Sequence, residues 1–242
     1  MTAAAVKDDP NLRMLLVIAR ALGDLRDSLV LVGGCATGPL ITAQRAAAIR
    51  QTLDVDVVAP VISIADYHAM EQALAVRGFK HDQSTDAPIC RWILGEAQVD
   101  LLPSRPGILG FHNRWYPLAV ETATRFNLSD SLAVRLITAP VFVASKLEAF
   151  HGRGNRDYLA SHDLEDLIAV IDRRAELIDE VGAADTTLST YLAQEMQNLL
   201  SDPDFQLALP GHLPGDAASQ ARLPELLHRM HQLTRTKATR AN

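Results

Sequence analysis

The stretch Arg50–Pro60, RQTLDVDVVAP, sets two aspartates, Asp54 and Asp56, at alternate positions inside a run of leucine and valine. The apolar context and the closing proline predict a strand entering a core. Successive strand side chains point to opposite faces, so both carboxylates share one face and Val55 and Val57 share the other. Two like charges on one strand face repel. An exposed edge strand would leave them to water, but Val55, Val57 and Val58 argue for burial around the pair. A bound cation is the alternative that relieves the repulsion, and losing either carboxylate would relieve it too.

Working outward, SLVLV (residues 28–32) reads as a short buried strand that stops at Gly33-Gly34. Before it, NLRMLLVIARALGDL (11–25) repeats apolar residues at helical spacing, with Asn11 as the expected N-cap. After the glycines, ATGPLITAQRAAAIRQ (36–51) predicts a helix with Pro39 near its first turn. Downstream of the aspartates, SIADYHAMEQALAVRGF (63–79) predicts a helix begun by Ser63 or Asp66 and ended by Gly78. ICRWILGEAQVDLLP (89–103) gives two β-rich runs around Gly95-Glu96, a hairpin signal, and places Asp100 in the second run. A further strand pair is expected in PLAVETATRF (117–126) and LAVRLI (132–137), joined by NLSD.

From Pro140 the pattern turns helical. APVFVASKLEAF (139–150) leads into the loop HGRGNRDY (151–158), then a helix over SHDLEDLIAVIDRRAELIDEV (161–181). TTLSTYLAQEMQNLL (186–200), a Pro/Gly turn region at 208–219, and RLPELLHRMHQLTRTKATRAN (222–242) complete the chain. The expected organisation is α+β. A small mixed sheet flanked by helices occupies 11–140, and an all-helical domain occupies 141–242.

The chain has 242 residues, 48% hydrophobic and 21% charged, enough apolar material for a substantial core. A formal net charge of −6 disfavours a uniformly basic nucleic-acid-coating surface. Two distant cysteines, Cys35 and Cys90, have no metal-ligand spacing and suit a reducing compartment. The start MTAAAVKDDP shows no leader pattern and no apolar run reaches membrane-spanning length, so the expected location is cytoplasmic and no membrane partner is expected.

Strand, Gly33-Gly34, helix, a strand with Asp54 and Asp56, and a later strand with Asp100 form an ordered set suited to nucleotide transfer. Glycines after a strand let backbone approach phosphate, and the next helix start offers free N–H groups. Paired carboxylates are hard oxygen ligands for Mg²⁺, and a third on a neighbouring strand can complete a two-metal site. On LVGGCAT, RQTLDVDVV, AQVDLLP and ITAPVFVASKLEAF…SHDLEDL, the chain resembles the polymerase-β-like nucleotidyltransferase superfamily. More narrowly it resembles the AbiEii/AbiGii-type toxins, the nucleotidyltransferase halves of bacterial toxin–antitoxin pairs. The resemblance covers roughly residues 25–172.

What the resemblance implies is an NTP substrate and Mg²⁺, with Mn²⁺ as a substitute. Asp54, Asp56 and Asp100 would be metal-binding catalytic residues, and Gly33 and Gly34 would admit phosphate. Lys146 would place a point charge on the triphosphate, with Asp163 and Asp166 in the nucleotide-binding set. It further implies a tRNA acceptor and an antitoxin partner. From the residues alone, Asp163 and Asp166 equally suit a helix start behind the N-cap Ser161, while Lys146, a catalytic candidate on an otherwise apolar helix, is harder to read as a snorkelling lysine. Two departures stand out. Cys35 follows the glycines where many members have serine, and the Gly34–Asp54 interval is long. Arg153 and Arg156 in the loop, His162, and the terminal group Arg229, Arg235, Lys237 and Arg240 are further candidates for phosphate or RNA contact. Aromatics at 5% do not support extensive base stacking.

Overall fold

The protein is described by a computed structural model over residues 9–43 and 49–235. It divides into two compact units. Unit one comprises residues 1–39 and 50–138, and unit two comprises residues 40–49 and 139–242.

Unit one is α+β. Helix α1 (Leu12–Leu22) turns Leu15, Ile18, Ala19 and Leu22 inward and packs them on the sheet. It is followed by strand β1 (Val30–Val32), a one-turn helix α2 (Thr37–Leu40), β2 (Asp54–Ala59) and helix α3 (Ile64–Val76). Then come β3 (Lys80–His81), β4 (Arg91–Leu94), β5 (Ala97–Pro103), helix α4 (Tyr116–Thr122), β6 (Thr124–Ser129) and β7 (Leu132–Leu136). The strands form one sheet of order β3-β4-β5-β2-β1-β7-β6. β2 runs parallel to β5 and β1 parallel to β7, while the other pairs are antiparallel, so the sheet is mixed. Its centre reads as valine and leucine because β1 is buried on both faces, as is the C-terminal half of β2.

Local signals account for several boundaries. The Ser63 side chain accepts from the Asp66 N–H to cap α3, and Gly78 (φ +88°) follows its C-terminal end. At the β4–β5 hairpin Leu94 pairs with Ala97 across a two-residue turn, where Gly95 takes the positive φ such a turn demands.

Unit two is helical. It contains α5 (Ala139–Arg153), α6 (His162–Arg173), α7 (Leu177–Ala183), α8 (Thr186–Ser201), α9 (Pro203–Ala208), α10 (Ala217–Gln220) and α11 (Leu223–Leu233). Helix α5 is buried from Ala139 through Leu147 and packs against α6, α7 and α8, which is why its first six residues, Ala139–Ala144, are apolar all round.

The structure corrects five expectations. Residues 36–51 do not form one helix: helical turns end at Leu40, and residues 44–48 lie outside the described residues. The backbone polar groups beyond Leu40 have other partners. Leu40 O accepts from Arg174 Nη1 (2.7 Å), Thr42 N and Ala43 N donate to Arg173 O, and Thr42 Oγ1 donates to Glu176 (2.7 Å). Asn11 precedes α1 but does not cap it with its side chain. Tyr116–Thr122 is helical, so only Thr124–Phe126 of PLAVETATRF is strand. Helix α5 continues through Arg153 into the expected loop. Finally, 161–181 breaks in two at Arg174, whose side chain forks onto Glu180 (both contacts 2.6 Å), while Arg229 donates to the α6-end carbonyls of Ile171 and Arg174. Those bonds give Arg229 a structural task. Lys237 and Arg240 lie outside the described residues.

Candidate active site

The approach to β2 is fixed from the N-terminal side. Asn11 Nδ2 donates to Arg50 O (2.9 Å) and Asn11 Oδ1 accepts from Thr52 N (2.9 Å). Asn11 is itself set by its N–H bond to Asp9 Oδ1. The Thr52 hydroxyl then donates to Asp54 Oδ1 (2.9 Å). A chain of bonds from Asp9 to Asp54 thus sets where the first carboxylate stands.

Strand register does the rest. Asp56 lies opposite Asp100 in the parallel β2–β5 ladder, and Arg91 lies opposite Asp100 in the antiparallel β4–β5 ladder. Directly paired residues share a sheet face, and Asp54 is two positions from Asp56, so all four side chains emerge on one face. Val55 and Val57 are buried on the other.

Arg91 spans two of the carboxylates. Its Nε donates to Asp100 Oδ1 (2.8 Å), and its Nη2 donates to Asp100 Oδ2 (2.8 Å) and to Asp54 Oδ2 (2.6 Å). The fork onto Asp100 is the strong bidentate form of this contact. These bonds to Asp100, with the charges of Asp100 and Asp54, hold the Arg91 guanidinium above its ordinary value. Next to it, burial, together with the Asp100 and Asp56 charges, pushes the Cys90 thiol up to about 12.

The glycine turn abuts this face. Gly33 has φ +63°, and a Cβ there would collide with the Asp56 carboxylate, coming within 2.6 Å of its Cγ. The first glycine is therefore required twice, by backbone and by close approach. At Gly34 a Cβ would meet the Arg50 guanidinium at 2.9 Å and Thr52 at 3.4 Å. Cys35 is fully buried, and its thiol donates to Asp54 O (3.2 Å). The side chain at this position braces the β2 backbone, so the missing serine hydroxyl takes nothing from a surface. The turn continues as a 3₁₀ segment (Gly34–Ala36) and the four residues of α2, far less helix than the sequence pattern promised as a phosphate-binding terminus.

The other expected site residues lie in unit two and meet one another there. Lys146 Nζ donates to Asp166 Oδ2 (2.6 Å) and Asp163 Oδ1 (3.2 Å), and Arg153 forks onto Asp163 (both contacts 2.9 Å). Burial raises the Asp163 carboxyl, but the Arg153 bonds and Lys146 charge outweigh it and hold the group below its usual range. Lys146 is thus a buried cation with two carboxylate partners, neither a snorkelling lysine nor an exposed one. Ser161 caps α6 through the Leu164 N–H, leaving Asp163 and Asp166 to the ion pairs. Arg156 pairs with Asp202 and His162 with Glu165, both at the surface.

Asp54, Asp56 and Asp100 suit a divalent cation in donor type and strand register. Their present side-chain arrangement does not, because Arg91 takes oxygen edges of Asp54 and Asp100. Among the described residues no three His, Cys, Asp or Glu side chains are gathered to hold a metal ion. Arg91 is the residue that sequence reasoning missed. The signal was present: a two-residue turn at 95–96 fixes 94 opposite 97 and hence 91 opposite 100.

Among the described residues no helix is long and apolar enough to cross a membrane. No protein-family model matches the chain, and neither does any curated protein. Two solved structures are similar to it at low identity. The solution structure of the antibiotic-resistance factor ANT(2'')-Ia is 12% identical, with a TM-score of 0.43, over 66% of this chain and 82% of that one. The crystal structure of a candidate nucleotidyltransferase from H. pylori is 11% identical, with a TM-score of 0.42, over 98% of this chain and 94% of that one.

Proposed function

We infer that this chain is a nucleotidyltransferase that moves an NMP unit from an NTP to an acceptor hydroxyl and releases pyrophosphate. The observation that carries the reading is the register of β2 and β5. It sets Asp56 beside Asp100 and Asp54 two positions along, on the one face that meets the Gly33 turn.

Asp54, Asp56 and Asp100 would hold Mg²⁺ or Mn²⁺, which when bound supplies charge neutralisation for the reacting phosphates. The chain's own contribution is positional. Thr52 orients Asp54, the absent side chain of Gly33 leaves room for the Asp56 carboxylate, and Cys35 ties the turn to the β2 backbone. The resemblance of RQTLDVDVV and its neighbours supports the narrower proposal of a toxin whose acceptor is tRNA and whose partner is an antitoxin. In this proposal Lys146 would meet phosphate only by giving up its ion pairs with Asp163 and Asp166, whose carboxylates act through Lys146 and do not themselves bind phosphate.

One observation favours a second reading. Arg91 neutralises two of the three carboxylates, as it would in a binding module that keeps the fold without transferring anything. One assay separates them: incubation with each α-labelled NTP, Mg²⁺ and total tRNA. Labelled RNA is the expected product. Label on protein or small molecule would keep the transferase and change the acceptor. No label and no pyrophosphate from any NTP would overturn the proposal in favour of the binding module.

A further inference from the structure

We propose that Arg91 is the built-in counter-cation of the carboxylate face, and that a divalent cation binds there by displacing it. The proposal rests on the metal-dependent reading above and adds a residue which that reading does not contain.

Three observations support it. First, among the described residues the bonds of the Arg91 guanidinium fall on oxygens that the cation would need, two on Asp100 and one on Asp54. Second, among the described residues the side-chain bonds that Asp100 accepts come from Arg91, so its orientation is set by the group it would have to release. Third, the assembly is open enough to exchange. The Arg91 side chain is 18% exposed and that of Asp54 25%, so a displaced guanidinium can turn to water while Asp100 stays buried. Lys146 and Asp166, at 7% and 2%, have no such exit. A cation and a guanidinium cannot share the same carboxylate edges, so their binding is mutually exclusive. Metal affinity is therefore set by the difference between the two and not by the aspartates alone.

The test is direct Mn²⁺ binding to the full chain, followed by electron paramagnetic resonance of the free ion. Wild type is expected to bind weakly. Arg91→Met, which removes the competing charge and keeps the stem, is expected to bind about ten- to a hundredfold more tightly, the range for loss of a charge-assisted bidentate competitor. Adding Asp56→Asn should remove that gain. Arg91→Lys keeps the charge but cannot fork across two carboxylates, so its affinity should fall between wild type and Arg91→Met. It serves if Arg91→Met does not fold.

Wild-type binding with no tightening in either arginine variant would overturn the proposal and leave the functional reading intact. So would a gain that survives Asp56→Asn, which would put the ion elsewhere. Absence of Mn²⁺ binding in every variant would overturn both.

Discussion

The molecule carries two clusters in which basic side chains meet aspartates, and they differ in what surrounds them. In unit two, Lys146, Asp163 and Asp166 are almost wholly enclosed, with Arg153 closing the cluster from the surface. Two basic groups face two acidic ones, and every charge has a partner within α5 and α6. In unit one, Arg91 and Asp54 are partly open while Asp100 is buried, and a third carboxylate, Asp56, stands beside them on the same face. Enclosure turns the first cluster into a fixed joint between helices. Openness leaves the second able to exchange its cation. On the proposed reading, the same residue types serve packing in one place and chemistry in the other.

The largest effect that would break this comparison is on activity. Asp56→Asn should lower NMP transfer by roughly 10³-fold or more, the scale of several kcal/mol of lost charge stabilisation, with the circular-dichroism spectrum unchanged. Next is the stability contrast between the clusters. Lys146→Met removes the buried cation that Asp163 and Asp166 share and should cost about 3–5 kcal/mol in denaturant unfolding. Asp54→Asn, at a quarter-exposed position, should cost only about 1 kcal/mol. Equal costs would mean the two clusters are alike. Removing the Asp54 charge does more than relieve repulsion with Asp56, because Arg91 and Thr52 already stabilise it.

Gly33→Ala places a Cβ at φ +63° against Asp56 and should cost about 1–2 kcal/mol while displacing that carboxylate, read as a loss of both Tm and transfer. The smallest expected effect is a pH dependence in unit two. Burial holds the His212 ring below its ordinary 6.5, and its Nε2–H donates to Tyr158 O at 2.7 Å. The unfolded chain binds the proton more readily, so stability is full above 6.5 and falls as pH drops from there toward the lower folded value. Denaturation at about pH 7.5 and about pH 5.5 should show this loss, and His212→Gln should remove it.

The sequence made the carboxylate face legible because strand geometry is rigid: alternation and a two-residue hairpin carry residues 54, 56, 91 and 100 to one place. Ser63 and Gly78 marked α3 for the same reason, since a cap and a left-handed residue act locally. What was not legible depends on partners distant in sequence. Residues 36–51 carry a helical pattern, yet Arg173, Arg174 and Glu176 take up the polar groups of Leu40, Thr42 and Ala43. Asn11 looks like a cap and instead holds the backbone of Thr52 and Arg50. The ion pairs of Lys146 are not legible in the sequence because its two carboxylate partners lie 17 and 20 residues away.

The central claim is that the Asp54–Asp56–Asp100 face is where transfer occurs. Its most direct test is pyrophosphate release from NTP in the presence of Mg²⁺ and total tRNA, measured for wild type and Asp56→Asn side by side. The account predicts steady release from wild type and none above background from the variant. Equal release from both proteins would contradict it.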